Sequence, residues 1–424
     1  MIELDLPEEW KLESIGRSVL SLADGPFGSN LASKHYTDSG ARVIRLGNIG
    51  AGQFKDSDRA FISMERYRAL KKHSVAGGDV IVAGLGDENN PLGRSCVTPD
   101  DLGPAIVKAD CFRVRVDPKR LDPRFLVYFL SSSLGEWAAK TRSRGSTRQR
   151  MNLRDVAALS FPRPGLEEQW RIVDFLDAET ARIDQLLRLR ALQRRTLVER
   201  SLACSSNYFP VDGSVDMVRL GYLATVQSGV TVDGSRSIKG QAVTRPYLRV
   251  ANVQAGRLDL ESITEITVPV GVARAATLQP GDVLMTEGGD LDKLGRGTVW
   301  RGEIPGCLHQ NHVFAVRPES KLNPDYLALL TRSAYARRYF ESTGTRTTNL
   351  ASTSSAKIRD FRIPLFSAEG QRSIVQRVTS EVAKIEAVIV KLDRQRSLLE
   401  ERRRALITAA VTGQLDVTTA RGTA

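Results

Sequence analysis

Two homologous α+β units joined to two long helices are what this chain predicts, and three observations carry the prediction. The sequence says nearly the same thing twice, about 202 residues apart: Gly78-Asp79-Val80 returns as Gly281-Asp282-Val283, Leu92-Gly93-Arg94 as Leu294-Gly295-Arg296, and Phe112 with Val114 as Phe314 with Val316. Each half is built of short apolar runs punctuated by glycine and proline, the pattern of a compact β-rich unit. Each half then closes on a proline-bearing apolar strand (Phe161-Pro162, Ile363-Pro364), a glutamine-arginine helix start and a long charged helix. The period far exceeds that of a solenoid, so the repeat is a domain duplication.

In chain order, strands are expected at Arg42–Leu46, Asp79–Ala83, Ala105–Val107 and Cys111–Val116. A helix follows Asp122-Pro123, where the aspartate caps and the proline takes the first helical position. It carries Phe125, Leu126, Phe129 and Leu130 on one side. The second half repeats the scheme with strands at Pro246–Val250, Asp282–Met285 and His312–Val316 and a helix opening at Asn323-Pro324. In the distal helix, from Gln371 to about Thr412, Val378, Ile385, Leu392, Leu399 and Leu406 recur every seven residues, with Val375, Val382 and Ile389 at the companion position. That is a coiled-coil seam. The central helix keeps the same register with Leu176, Ile183 and Leu197, flanked by Val173 and Leu187 and interrupted by Arg190. Two amphipathic helices packed separately on their own domains would also fit. Mutual pairing is favoured, because two matched stripes in one chain meet at high effective concentration. The expected segments are a first unit at 1–165, a central helix at 166–207, a second unit at 208–366, a distal helix at 367–415 and a tail at 416–424.

Hydrophobic residues make up 41% and charged residues 26% of the 424, as in a soluble globular protein. No apolar run is long enough to span a bilayer, and Met1-Ile2-Glu3-Leu4-Asp5 has neither the basic nor the apolar region of a signal peptide, so a cytoplasmic protein with no membrane partner is expected. Four scattered cysteines read as reduced thiols. A formal net charge of +12 is the footprint of a polyanion binder.

Catalytic motifs fail one by one. Asp100 with Asp117-Pro118-Lys119 has the carboxylate and lysine spacing of a metal-dependent nuclease, but Pro118 cannot donate to the central strand that motif requires. Asn89-Asn90-Pro91-Leu92 lacks the second proline and the stacking aromatic of an amino-methyltransferase loop, and Gly84-Leu85-Gly86 is too short to mark a cofactor site. No phosphate-binding loop with glycine-lysine-Ser/Thr occurs. Cys307, His309 and His312 lack a nearby fourth ligand and lie where a strand alternates core and surface. No metal, cofactor or catalytic residue is therefore expected in this chain.

Positive charge among small polar residues remains. Lys140, Arg142, Arg144, Arg148, Arg150 and Arg154 occur with no acid before Asp155, around Gly145, Ser146, Thr147 and Gln149; the second half has Thr345, Arg346 and Thr347 after Gly344. Hydroxyls and backbone N–H groups satisfy phosphate oxygens, while Arg and Gln can read base edges bidentately. A solvated loop is the alternative. Arg45 with Asn48 and Arg249 with Asn252 also correspond, and Arg45 and Arg249 alternate with core residues on a strand, either as solvent-facing supports or turned to nucleic acid. Arg94 and Arg296 complete the candidate set. Aromatics are only 6% of the chain, too few for platforms on which single strands stack.

With these pieces assembled, the chain resembles the specificity subunit of a type I restriction-modification system over essentially its whole length. The resemblance rests on Asp24-Gly25-Pro26-Phe27-Gly28-Ser29-Asn30, Arg45-Leu46-Gly47-Asn48-Ile49, both Gly-Asp-Val turns, Glu168-Gln169 and Gly370-Gln371 with Ile183-Asp184 and Ile385-Glu386 beyond them, and the stretch from Ala405-Leu406-Ile407-Thr408 to Gly413-Gln414-Leu415-Asp416. The second unit departs from it, with Ser228-Gly229-Val230-Thr231 in place of the Gly-Pro-Phe-Gly turn. The resemblance implies two target recognition domains, each reading half of a split double-stranded DNA site, separated by an antiparallel helix pair. It further implies two modification subunits that bind S-adenosylmethionine and methylate adenine, and restriction/translocase subunits that use ATP and Mg²⁺. A specificity subunit whose partner fuses methyltransferase and nuclease, or a non-catalytic DNA-binding scaffold, would share these features.

Overall fold

The computed structural model describes residues 6–145, 148–206, 208–209, 215–231, 240–254, 256–289, 294–295, 297–346 and 351–419. The chain divides into two compact units, Met1–Arg190 with Arg394–Ala424, and Ala191–Asp393. Both are α+β.

In the first unit an antiparallel sheet runs in the order Val19–Ala23, Cys111–Val116, Val80–Ala83, Ser95–Val97, beside a mixed sheet whose strands Ala41–Ile44 and Ala105–Val107 pair in parallel. Strand Val80–Ala83 reads as an unbroken apolar run because both its faces are buried. Val80 and Val82 join the core beneath the helices, while Ile81 and Ala83 join a second core shared with Ile44 and Val107. Asp122 caps the helix Pro123–Leu130 by accepting from the Arg124 and Phe125 amides at 2.7 and 3.3 Å. That helix drives Phe125, Leu126, Phe129 and Leu130 into the first core, each large apolar side chain contributing roughly 1.5–3 kcal/mol of transfer free energy.

The second unit repeats the plan. Its antiparallel sheet runs Ala224–Ser228, Val313–Pro318, Val283–Thr286, Gly297–Val299, and Asn323 caps the helix Pro324–Thr331. Strand Ala242–Leu248 pairs in parallel with Leu308–His309.

The repeated motifs fasten turns and helix starts. Asp79 and Asp282, the acids of the two Gly-Asp-Val turns, are 3% and 0% exposed. Asp79 accepts both arms of Arg115 at 2.8 and 2.7 Å and Asp282 both arms of Arg317 at 2.7 and 2.8 Å, while each also holds its own turn through the amide three residues earlier. Gln169 and Gln371 pin the start of each long helix to its unit. The Gln169 side chain accepts from the Asp122 amide at 2.9 Å and donates to the Arg120 and Pro164 carbonyls at 3.0 Å. The Gln371 side chain makes the equivalent bonds to Asn323, Lys321 and Phe366 at 2.7, 2.9 and 2.9 Å.

The long helices are Leu166–Ser206 and Ala368–Val411. Within the first unit Ile172, Val173 and Leu176 share a core with Ile407, Ala410 and Val411, and Asp184 further on accepts from Arg403 at 3.1 Å, so these segments run antiparallel. Within the second unit Arg194 donates to Asp393 at 2.8 Å and Cys204 to Glu381 at 2.7 Å, the same antiparallel sense. Along the stripes Leu176, Ile183, Val378 and Leu392 are buried and Leu187, Leu197, Ile385 and Leu399 half-buried. Leu176 and Val378 are each 0% exposed within the main core of its own unit.

Candidate nucleic-acid interface

In the first unit the basic stretch is a hairpin. Arg144 and Arg150 exchange backbone hydrogen bonds at 3.0 Å, Gln149 and Arg150 pair with Gly86 and Leu85, and buried Met151 fixes the base by donating its amide to Gly84 at 2.9 Å. Gly145 turns the chain with φ +91°, where a Cβ would come within 2.7 Å of the Arg148 carbonyl oxygen. Lys140, Arg142, Arg144, Arg148, Arg150 and Arg154 are all exposed and Gln149 is half-buried. Among the described residues one acid answers this field directly, Asp110, at 3.3 Å from Arg150. Ser146 and Thr147, at the tip, lie outside the described residues.

The second unit builds the same hairpin at the equivalent place. Thr345–Arg346 pairs with Ala351–Ser352, which pairs with Gly288–Gly289. Thr345 is exposed and its hydroxyl accepts from Lys357 Nζ at 3.0 Å. Thr347 and Arg296 lie outside the described residues. Beside this hairpin His312 is paired with Glu287. Lys357, His312 and Glu287 were not singled out from sequence as neighbours of the hairpin, because strand pairing and a helix bring them there from separate segments.

Three candidates are corrected. Asn48 is 0% exposed: its Oδ1 accepts from the Arg45 amide at 2.9 Å and its Nδ2 donates to the Lys55 and Asp58 carbonyls at 2.8 Å. Asn252 repeats this with Arg249, Asp259 and Ser262. Both amides are consumed in shaping their own loops, leaving no free edge for a base. Arg94 is a clamp, donating to the carbonyls of Ile49 and Leu85 at 3.1 Å, Leu46 at 3.3 Å and Pro91 at 3.4 Å. Burial pushes its pKa down, since carbonyls satisfy the guanidinium without neutralising it.

Arg45 and Arg249 also differ from the expectation that they sit on strands. The strands end at Ile44 and Leu248, and both arginines precede short 3₁₀ turns, Leu46–Asn48 and Val250–Asn252. Arg45 is held by an ion pair to Asp58. Arg249 is exposed with no ionic partner among the described residues, Ser262 standing where the first unit has Asp58. The Cys307, His309, His312 trio does not converge: His309 is buried with Nδ1 2.6 Å from the Val313 carbonyl, whereas His312 is on the surface. Among the described residues no group of three or more His, Cys, Asp or Glu could hold a metal ion, and no helix is long and apolar enough to cross a membrane.

A duplicated α+β protein with a basic hairpin on each unit and a long helix leaving each is the class this geometry defines. Comparison with known proteins narrows it. A family model described as the type I restriction modification DNA specificity domain matches residues 64–191. The chain is 21% identical to the EcoKI specificity subunit of Escherichia coli K12, over 97% of this chain and 90% of that one. It is 25% identical to the StySPI specificity subunit of Salmonella potsdam over 40% of this chain and 36% of that one. Among solved structures, a chain from a type I R-M system assembly superposes with a TM-score of 0.75 at 20% identity, covering 97% of this chain and all of that one. The HsdS subunit from Thermoanaerobacter tengcongensis gives 0.54 at 20% identity, covering 98% and 99%. Over nearly its whole length the chain is thus similar to type I restriction-modification specificity subunits, and a family model of their DNA specificity domain matches part of its first half.

Proposed function

We propose that this chain is the DNA-reading subunit of a type I restriction-modification complex, recognising a bipartite double-stranded site with one half read by each unit. The observation that carries the reading is the basic hairpin at equivalent places in two homologous units, around Arg148 in one and Arg346 in the other. Two copies of one reading device with different side chains suit a site of two unlike halves. The chain's own contribution is discrimination: a bidentate base contact contributes about 1–3 kcal/mol against a wrong base, and phosphate contacts add salt-sensitive affinity. Adenine methylation with S-adenosylmethionine, and ATP- and Mg²⁺-dependent restriction, fall to modification and restriction subunits that this chain positions, in the cytoplasm.

The paired helices serve in this reading as a spacer between half-sites, with an unread gap of roughly 5–8 base pairs for half-sites about one helical turn apart. The test is to map methylated adenines in cells carrying this chain with its modification subunit. Arg148→Ala should relax one half-site and Arg346→Ala the other. A four-residue insertion in one helix, roughly 6 Å of rise, should lengthen the gap without changing the bases read. Both hairpin variants affecting the same half-site, or an insertion that alters the bases, would defeat the two-reader reading.

A further inference from the structure

We infer that the second unit contains a binding site for a small oxyanion of phosphate size, in a cleft between the turn at Gly256, the C-terminal end of the Pro324–Thr331 helix and the first turns of the distal helix, with Arg332 as its anchor. The cleft has a volume of about 260 Å³ and is lined by Gly256, Arg257, Thr298, Arg301, Arg332 and Thr379 among others.

Arg332 is the residue that ends its helix, and its side chain is half-buried against the cleft. Its Nε is enclosed with no hydrogen-bond partner, and no ion pair reaches its guanidinium among the described residues. The acids that line the cleft are already committed: Asp325 is paired with Arg301, and Glu303 accepts from the Arg301 amide at 2.9 Å. Burial pushes the Arg332 pKa down, offset in part by Glu386 on the distal helix. A guanidinium removed from water without a directly paired counter-charge is costly, and an oxyanion accepting from its fork would supply both charge and acceptors. Gly256 lets the Arg332 guanidinium lie against the wall of the cleft. Its φ is +78°, and a Cβ there would stand 2.2 Å from Arg332 Nη1.

The first unit shows how the same place looks when the chain supplies its own anion. There the helix ends in Ser131 in place of Arg332, and Asp177, one repeat before Thr379, fills the cleft wall. Asp177 accepts from Arg124 at 2.9 Å and Tyr128 at 2.6 Å, and Asp184 is bonded to Arg403. Every charge there has a partner. In the second unit Thr379 offers a hydroxyl where that carboxylate stood, and the unpaired cation is left facing the space.

The experiment is a titration of the full chain with inorganic phosphate at constant ionic strength, set by replacing chloride, read by calorimetry and by the melting temperature. Wild type should show saturable binding at one site, with a rise of about 3–5 °C at ten times the dissociation constant. Arg332→Ser, which installs the first unit's residue, should lose the binding and the shift. Thr379→Asp, which restores the first unit's carboxylate, should lose the phosphate response without a fall in melting temperature. An unresponsive wild type, or a response unchanged in Arg332→Ser and Thr379→Asp, overturns the site. A repeat with random-sequence duplex DNA present separates the sources: displacement of phosphate by DNA assigns the site to backbone phosphate, and undiminished binding assigns it to a free anion. Neither arm depends on sequence-specific reading, so failure here leaves the proposed function standing.

Discussion

Replacing Gln371 by alanine should cost the second unit far more than the loss of one side chain suggests. The residue is 1% exposed and makes three hydrogen bonds, accepting from the Asn323 amide and donating to the Lys321 and Phe366 carbonyls. Alanine leaves three backbone groups without their partner, in a place where the helix start and the Asn323 cap exclude other donors. At about 1–3 kcal/mol for each polar group left unsatisfied, and with water recovering part of the loss, the change should destabilise the unit by roughly 3–5 kcal/mol. For a folding unit of this size that corresponds to about 6–20 °C in melting temperature. Gln169→Ala should do the same to the first unit, because its three bonds are equivalent. Differential scanning calorimetry of the full chain measures both, and proteolysis should cut the variants near Phe366 or Pro164. A loss below about 1 kcal/mol in either variant would refute the idea that these glutamines fasten the helices to their units.

Arg94→Ala should expose the segment from Leu46 to Lys55 to proteolysis, since the guanidinium ties Leu46 and Ile49 to Leu85; an unchanged digestion pattern would contradict a clamp. Asp58→Ala should release Arg45, cost no more than about 1 kcal/mol because the pair is partly exposed, and steepen the salt dependence of non-specific DNA binding by about one unit of slope. A double-mutant cycle on Asp184 and Arg403 should give a coupling of about 0.5–1 kcal/mol that shrinks in high salt, and zero coupling would argue against that helix contact. Burial pushes the thiols of Cys96 and Cys111 up to about 12 and those of Cys204 and Cys307 up to about 11. Thiolate is the reacting form, so native protein at pH 8 should resist a thiol reagent, with labelling rising as pH approaches those values; rapid native labelling at pH 8 would refute the burial.

Much of the architecture was legible in the sequence because duplication supplied an internal control. A lone Asp79 or Gln169 says little, but the same residue about 202 positions on, in the same local pattern, marks a constraint shared by two units. Helix caps at Asp122 and Asn323 were readable because they act on the next turn of chain. Asn48 and Arg94 misled for the opposite reason. Polar residues that recur in a repeat can be kept for binding or for satisfying a loop's carbonyls, and only the partners at Lys55, Asp58, Ile49 and Leu85 decide between the two. The Arg332 cleft was invisible because it is defined by a difference between the halves at positions with no motif around them.

The discontinuity of the first unit bears on the order in which the protein comes into being. Its core holds Ile407, Ala410, Val411 and Val417 beside Trp10, Phe125 and Leu176, and the Ser133 amide donates to Thr408 Oγ1 at 3.0 Å. The second unit is a single contiguous stretch, Ala191–Asp393. At about 5–20 residues per second on the ribosome, the half made first must wait tens of seconds for its last pieces, whereas the half made second can complete itself as it emerges. A chain interrupted before residue 394 therefore releases a first unit whose core lacks Ile407, Ala410, Val411 and Val417, a substrate for chaperones and proteases. Truncated translation products would then be cleared before the second unit could act without the first.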